Sequence, residues 1–191
     1  MKKICYVIHP THEIPKWSSV LDQFIKPAAQ AAGYRCDIGL KMGAERSHID
    51  KIVRPLLDAD IVVADVTGGR DPATFYLLGV RHAHTNHGTI LIAQNAADIP
   101  RDFQSYHPIS YTPDLEGHPL FHRDFLALIE KIRSEPTEPD NPVQNILRQS
   151  VESSEEILQL RNRLTELEGI LADKKAAPPS PRPQIKFKRV S

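Results

Sequence analysis

The chain is poor in cysteine, in tryptophan and in unbalanced charge. Its two thiols, Cys5 and Cys36, are too few for a disulfide scaffold or a four-cysteine zinc site, so we expect both to be buried and reduced. The 24 basic residues equal the 24 acidic ones, which argues against nucleic-acid binding by the chain as a whole.

Long apolar runs are also lacking. None approaches the about 20 residues that a membrane helix needs, and the opening MKKICYVIHP is expected to form a strand rather than a signal peptide. We therefore expect a cytoplasmic protein without a membrane span. A length of 191 residues allows one domain with a well-packed core plus an appendage.

Short apolar runs alternate with helical patterns over residues 1–133. The runs predict strands at residues 3–9, 35–40, 60–65, 89–94 and 109–111. The helical patterns cover residues 18–32, 47–59, 74–86 and 120–133, with Ser47 as a candidate N-cap and Pro27 as a candidate kink. This alternation predicts an α/β domain of the flavodoxin-like class, with a parallel sheet of about five strands and helices on both faces. Ligands of such sheets bind at the carboxyl ends of the strands.

The rest of the chain divides into a linker, a helix and a tail. Residues 134–142 (SEPTEPDNP) are rich in proline and acids, which predicts a linker. Residues 143–175 carry a heptad seam that predicts a coiled-coil helix: Val143, Ile146, Ser150, Ser153, Ile157, Leu160, Leu164, Leu167 and Leu171. Residues 176–191 are basic and proline-rich, which predicts a disordered tail.

Two arrangements of the seam helix remain open. In a parallel homo-oligomer, Glu156 would face Arg161 of another copy and Arg163 would face Glu168, and both pairs are attractive. Alternatively, the helix packs back on its own domain. We expect the homo-oligomer.

The segment ADIVVADVTGGRDPATFYLLGVRHA, residues 59–83, resembles nucleoside 2-deoxyribosyltransferase-like domains, whose architecture is related to that of TIR domains. Their bacterial motif reads approximately A-D-I-V-I-A-D-L-T-G-x-N-P-N-V-F-Y-E-L-G-x-x-H-A. The resemblance extends over KKICYVIHP, IKPAAQAAGYRCD and GTILIAQNAADIPRDFQSYHPISY. It implies the same α/β fold and a site for a nucleotide or nucleoside-like molecule.

The resemblance also implies where a catalytic group would lie. In active members a glutamate on the helix after the third strand attacks the sugar C1′ carbon or stabilises its positive charge. Leu77 occupies that position, and leucine can do neither. A glutamate there would alternatively close a capping box three residues after Thr74. We therefore expect a catalytically impaired domain.

The remaining candidate residues follow from the predicted strand ends. The expected ligand-binding set is His9, Asp65, Thr67, Gly68, Gly69 and Tyr76. The amides of the two glycines suit a phosphate or carboxylate, while Asp65 suits a ribose or the turn itself. If catalysis persists, Asp65 would act with Glu13 or Glu45, which lie in loops at the same edge.

Metal and cofactor sites are not expected. His82, His84 and His87 lack ligand spacing on a helix, and His118 and His122 lack a third ligand. Arg81 and His82 are expected at the surface or at an interface. We expect recognition of a nucleotide, a nucleoside or a protein partner, in the bacterial signalling or antiphage-defence setting that the resemblance implies. The alternatives are an active N-glycosidase or deoxyribosyltransferase acting on a nucleoside or NAD, and a scaffold with a vestigial pocket.

Overall fold

The computed structural model describes residues 3–10, 17–39 and 49–176, with the backbone alone beyond Glu168. Five parallel strands form one sheet in the order β2-β1-β3-β4-β5. Their bounds are β1 Lys3–Ile8, β2 Tyr34–Ile38, β3 Ile61–Asp65, β4 Thr89–Ala93 and β5 Ile109–Ser110. This order is that of the flavodoxin-like class, so the predicted fold class is confirmed.

Helices cover both faces of the sheet. Their bounds are α1 Trp17–Val20, α2 Lys26–Ala31, α3 Ile49–Asp58, α4 Pro72–His84, α5 Gly117–Ser134 and α6 Pro142–Ala176. One apolar cluster joins α1, α2 and α5 to the sheet, and a second joins α3 and α4 to the opposite face. No helix in the described part of the chain is long and apolar enough to span a membrane.

The first helical segment changes its winding before Pro27. A π-helical turn, Leu21–Ile25, lies between α1 and α2, and the Lys26 N–H donates to the Leu21 carbonyl. Proline has no N–H to continue the helical bonds, and His118 of α5 donates its ring N–H to the Gln23 carbonyl at 2.7 Å. The kink predicted at Pro27 is therefore a wide helical turn, and the Gln23 carbonyl that lacks a partner within the helix is bound by α5.

The start of α4 differs from the sequence expectation. The helix begins at Pro72, and Asp71 is its N-cap, with the Asp71 carboxylate accepting hydrogen bonds from the Thr74 N–H and hydroxyl at 2.8 Å each. Thr74 is thus inside the first turn rather than the cap. The capping-box explanation for a glutamate at position 77 is therefore wrong, because that position is not the third residue after the N-cap.

The segment predicted as a linker ends in contact with the domain. The Asp140 carboxylate accepts hydrogen bonds from the N–H groups of Gly88 and Thr89 at 2.5 and 2.9 Å. Asn141, fully buried, donates to the Thr85 and Asn86 carbonyls after α4, and its Oδ1 caps α6 by accepting from the Gln144 N–H. The compact unit therefore runs from Met1 to Arg148, and a second unit comprises Gln149–Ser191.

The described side chains of the second unit lie on helix α6. Residues Ile157, Leu160, Leu164 and Leu167 of the predicted seam are 52%, 63%, 59% and 43% exposed. The side chain of Leu171 and the tail from residue 177 lie outside the described residues, as does the candidate N-cap Ser47.

Candidate functional site

The carboxyl ends of β1 and β3 define the candidate site. The chain leaves β1 toward β2 on one side and later places β3 on the other side of β1. Adjacent loops diverge at such a switch point, which is where α/β sheets bind ligands. His9 follows β1, Asp65 is the last residue of β3, and residues 66–69 follow it. We call this edge the carboxyl rim.

Asp65 at the end of β3 is fully buried, and both of its carboxylate oxygens are hydrogen-bonded. Oδ1 accepts from the Thr67 N–H at 2.8 Å and from the Thr67 hydroxyl at 2.5 Å. Oδ2 accepts from the Tyr111 hydroxyl at 2.9 Å. Burial raises the pKa of Asp65, although the bonds from Thr67 and Tyr111 oppose the rise. The carboxylate therefore holds the turn and the end of β5 together.

The glycine turn after β3 has its amides bound within the domain. The Gly68 N–H donates to the Asp98 carboxylate at 2.8 Å, and the Gly69 N–H donates to the Val66 carbonyl at 2.8 Å. Both glycines have positive φ, at 84° and 59°, which other residues rarely adopt. Since an anion already sits at the Gly68 amide, a phosphate would have to displace Asp98 and would meet its negative charge.

Leu77 of α4, where the motif resemblance would lead one to expect a glutamate, belongs to the apolar core. It is 5% exposed and lies in the cluster that contains Tyr6, Ile8, Leu78 and Leu91. This environment gives no charge stabilisation to a reacting sugar.

The other candidate residues are only partly described. His9 is half-buried, its ring packs on Trp17 with centroids 4.6 Å apart, and its Nδ1 donates to the Pro10 carbonyl at 2.9 Å. Tyr76 is 55% exposed. Glu13 and Glu45 lie outside the described residues, so their distance to Asp65 stays a prediction.

Three residues at the carboxyl rim were not among the predicted site residues: Gln94, Asp98 and Tyr111. Gln94 and Asp98 follow β4, which pairs with β3, so their loop reaches the same rim. Gln94 Nε2 is buried and makes no hydrogen bond of good geometry to the described residues. Its side chain lies beside the Tyr111 hydroxyl, whose pKa is raised by burial and by Asp65, while Thr67 and Gln94 oppose the rise. Their positions after predicted strands could have indicated that they lie at the rim.

Arg81 and His82 of α4 are buried, so their predicted surface position is wrong. Arg81 Nη1 donates to the carbonyls of Leu56, Leu57 and Ala59, at the end of α3, at 2.9–3.2 Å. His82 packs near Phe103, and burial together with Arg81 lowers its pKa to about 4. A long cationic side chain can donate hydrogen bonds to helix-end carbonyls in the interior. The apolar periodicity of α4 gave no indication of this contact. Within the described ranges, no group of three or more His, Cys, Asp or Glu side chains could hold a metal ion.

No family model and no curated protein matches the chain. The similarity to deoxyribosyltransferase-like domains therefore rests on the motif of residues 59–83 and on the three further segments named above, and it stays a prediction.

Proposed function

We propose that this protein is a non-catalytic relative of deoxyribosyltransferase-like domains that serves as an interaction module and forms homo-oligomers through α6. The observation that carries the proposal is the burial of Leu77 in the apolar core at the expected glutamate position. Oxocarbenium-like transition states need an anion close to the sugar carbon, and leucine supplies none.

The state of Asp65 supports the same conclusion. A nucleophile or general base needs an accessible oxygen within hydrogen-bond reach of its target. Asp65 is fully buried, and its two oxygens accept three hydrogen bonds from Thr67 and Tyr111. Using it for catalysis would break the turn that it stabilises.

The seam of α6 supports assembly. Four large apolar side chains at heptad spacing are between 43% and 63% exposed, and an isolated helix gains little stability in water without a partner. A second copy would bury this stripe and would bring Glu156 opposite Arg161 and Arg163 opposite Glu168. The serines at positions 150 and 153 would leave the N-terminal part of the seam weaker.

Assembly is tested by light scattering on the full chain. The double substitution Leu160→Glu and Leu164→Glu is expected to convert an oligomer into a monomer without unfolding residues 1–133. The matched control, Gln159→Glu with Asn162→Glu, adds the same charge outside the seam and should keep the oligomer. A monomeric wild type at tens of micromolar would refute assembly through α6. Loss of domain stability in the seam variant would instead favour packing of the helix on its own domain.

Catalysis is tested separately by incubating the purified chain with nucleosides, deoxynucleoside monophosphates and NAD and following each by chromatography. We expect no turnover. Turnover that Asp65→Ala abolishes would overturn the non-catalytic assignment and favour the N-glycosidase.

A second candidate function, binding of an uncharged nucleoside-like ligand at the carboxyl rim, is favoured by Gln94. Its Nε2 is buried and lies beside the Tyr111 hydroxyl, with which it forms no hydrogen bond of good geometry. A base or sugar oxygen at the rim would give it a better acceptor. Because Asp98 is bound at the Gly68 amide, nucleosides should raise Tm more than their monophosphates do. Gln94→Met should remove the shift. No shift with any nucleoside, or an equal shift in Gln94→Met, would refute nucleoside binding at the rim and would favour the interaction module.

A further inference from the structure

A cleft of about 240 Å³ lies at the amino end of β4, beside Thr89, whereas the glycine turn follows the carboxyl end of β3. It exists because β5 is short: β4 pairs with β5 only at Ile92 and Ala93. Residues 89–91 therefore have no strand beside them on that side within the described sheet. Helix α5 and the segment after it enclose the space. We call it the β4-edge cleft.

The floor of the β4-edge cleft carries an unsatisfied polar atom. Thr89 lines the cleft and is 3% exposed, and its Oγ1 has no hydrogen-bond partner among the described residues. The backbone N–H of Thr89 is already bound to Asp140. Buried hydroxyls are nearly always paired, so Oγ1 is a group that a ligand can satisfy.

One wall supplies a positive charge without an acidic partner. Lys131 of α5 lines the cleft, and its Nζ donates to His107 Nε2 at 2.7 Å. A ring nitrogen that accepts a hydrogen bond belongs to a neutral imidazole, so His107 does not cancel the charge. The described residues place no carboxylate within ion-pair distance of Lys131. The ammonium can therefore meet a ligand anion.

The same wall supplies a negative charge and apolar surface. Glu135 lies one turn beyond Lys131 and also lines the cleft, without an ion pair to it in the described part of the chain. Leu128 and Ile132 of the same helix also line the cleft, and both pack against the apolar core. Three carboxylates line the cleft, but Asp140 is bound to backbone amides and Glu138 is paired with Arg148. Glu135 is therefore the carboxylate that can meet a ligand cation, in the same space as the Lys131 ammonium, the Thr89 hydroxyl and two aliphatic side chains.

We propose that the β4-edge cleft binds a small zwitterion with an apolar side chain, of the class of the free aliphatic amino acids. The ligand carboxylate meets Lys131, its ammonium meets Glu135, and its side chain packs on Leu128 and Ile132. The volume is below the about 300–1,000 Å³ of clefts that hold drug-sized ligands, which favours a ligand smaller than a nucleotide. A polyanion is disfavoured because Glu138 and Asp140 also line the cleft. This inference is independent of the proposed function.

Calorimetric titration of the full chain with L-leucine tests the proposal. Two analogues of leucine each lack one of its charges. L-leucine methyl ester lacks the carboxylate, and 4-methyl-2-oxopentanoate lacks the ammonium. We expect saturable binding of leucine and at least about tenfold weaker binding of each analogue. This comparison needs no variant. No saturable binding at millimolar leucine would overturn the proposal, and so would equal binding of either analogue.

Variants place the ligand in the cleft. Lys131→Met keeps the aliphatic stem, Glu135→Gln keeps the shape, and Thr89→Val removes only the hydroxyl. Lys131→Met and Glu135→Gln should each weaken leucine binding at least about tenfold, and Thr89→Val should weaken it less. Arg123→Met, on the same helix but paired with Asp124 outside the cleft, should bind like the wild type. Unchanged binding in both Lys131→Met and Glu135→Gln would place the ligand elsewhere and refute the assignment.

Discussion

The Asp98 carboxylate accepts a hydrogen bond from the Gly68 N–H at 2.8 Å, across 30 residues of chain. A side-chain carboxylate thereby binds the amide that the glycine turn would otherwise offer to an anionic ligand. The contact joins the loop after β4 to the turn after β3, so this amide is occupied by the domain itself.

Asp98→Ala is expected to lower the free energy of unfolding by about 1 kcal/mol, because one partly exposed hydrogen bond is lost. Asp98→Asn should lose less, since its amide oxygen still accepts. Urea denaturation measures both. Inorganic phosphate should stabilise Asp98→Ala more than the wild type, and the opposite order would show that Asp98 does not occupy an anion site.

Leu77→Glu is expected to destabilise the domain by about 3 kcal/mol or more, because it places a carboxyl group in an apolar cluster without a partner. Leu77→Met, of similar volume, should cost less than about 1.5 kcal/mol. Denaturant titration of both variants separates the effect of the carboxyl group from that of the altered side-chain shape. A Leu77→Glu variant as stable as the wild type, with new nucleoside cleavage, would mean that an open catalytic pocket lies beside α4.

Arg81→Lys is expected to destabilise the domain by about 2–3 kcal/mol, although the charge is kept. Nη1 of the guanidinium donates to three carbonyls at the end of α3, and Nη2 donates to the Gly88 carbonyl at 3.5 Å. The single nitrogen of a lysine cannot occupy both places. Burial lowers the pKa of Arg81, and Asp140 and Asp60 oppose the change. Arg123→Lys, at an exposed position on α5, is the control and should change stability by less than about 0.5 kcal/mol. Equal effects of the two substitutions would contradict the capping role.

His82 should make the domain less stable in acid. Its pKa is lowered from 6.5 to about 4 by burial and by Arg81, so between these pH values the unfolded chain binds the additional proton. Stability therefore falls as the pH falls from 6.5 to 4, by about 3 kcal/mol in total. Unfolding free energies of the wild type and of His82→Asn, measured from pH 7 to 4, should differ in slope. His84→Asn, exposed on the same helix, should keep the wild-type slope, and parallel curves for all three would exclude His82 as the cause.

Cys36 should react with iodoacetamide faster than Cys5. The two thiols face each other across β1 and β2. The hydrogen bond to Cys5, assisted by Lys26, lowers the pKa of Cys36, whereas the pKa of buried Cys5 is raised. The thiolate is the reactive form. Mass spectrometry of the singly alkylated protein should find the label on Cys36, and label on Cys5 would mean that β2 opens before the thiol reacts.

The sheet could be predicted because both strand patterns and helix patterns are local in sequence. The apolar run Ile61, Val62, Val63 and Ala64 indicates a strand covered on both faces, and β3 lies in the centre of the sheet. Helix boundaries were less certain, because α4 starts at Pro72 and its cap depends on one Asp71 side chain.

The site could be predicted only in part, because its state depends on long-range contacts. The place of Asp65 at a strand end follows from the sequence. That its carboxylate binds Tyr111, or that Asp98 binds Gly68, depends on residues 46 and 30 positions away. Arg81 shows the same limit, since its partners are the final carbonyls of another helix.

The two-residue length of β5 also bears on solubility. Exposed sheet edges are templates on which further chains add as strands and aggregate. At β5 an incoming strand meets only Ile109 and Ser110, so it can form few backbone hydrogen bonds there. At the opposite edge, β2 carries the charged pair Arg35 and Asp37, with a contact of 2.6 Å, and charge on an edge strand opposes stacking. Both borders of the sheet thus resist the growth of cross-β fibrils, and concentrated solutions of the folded domain should remain clear.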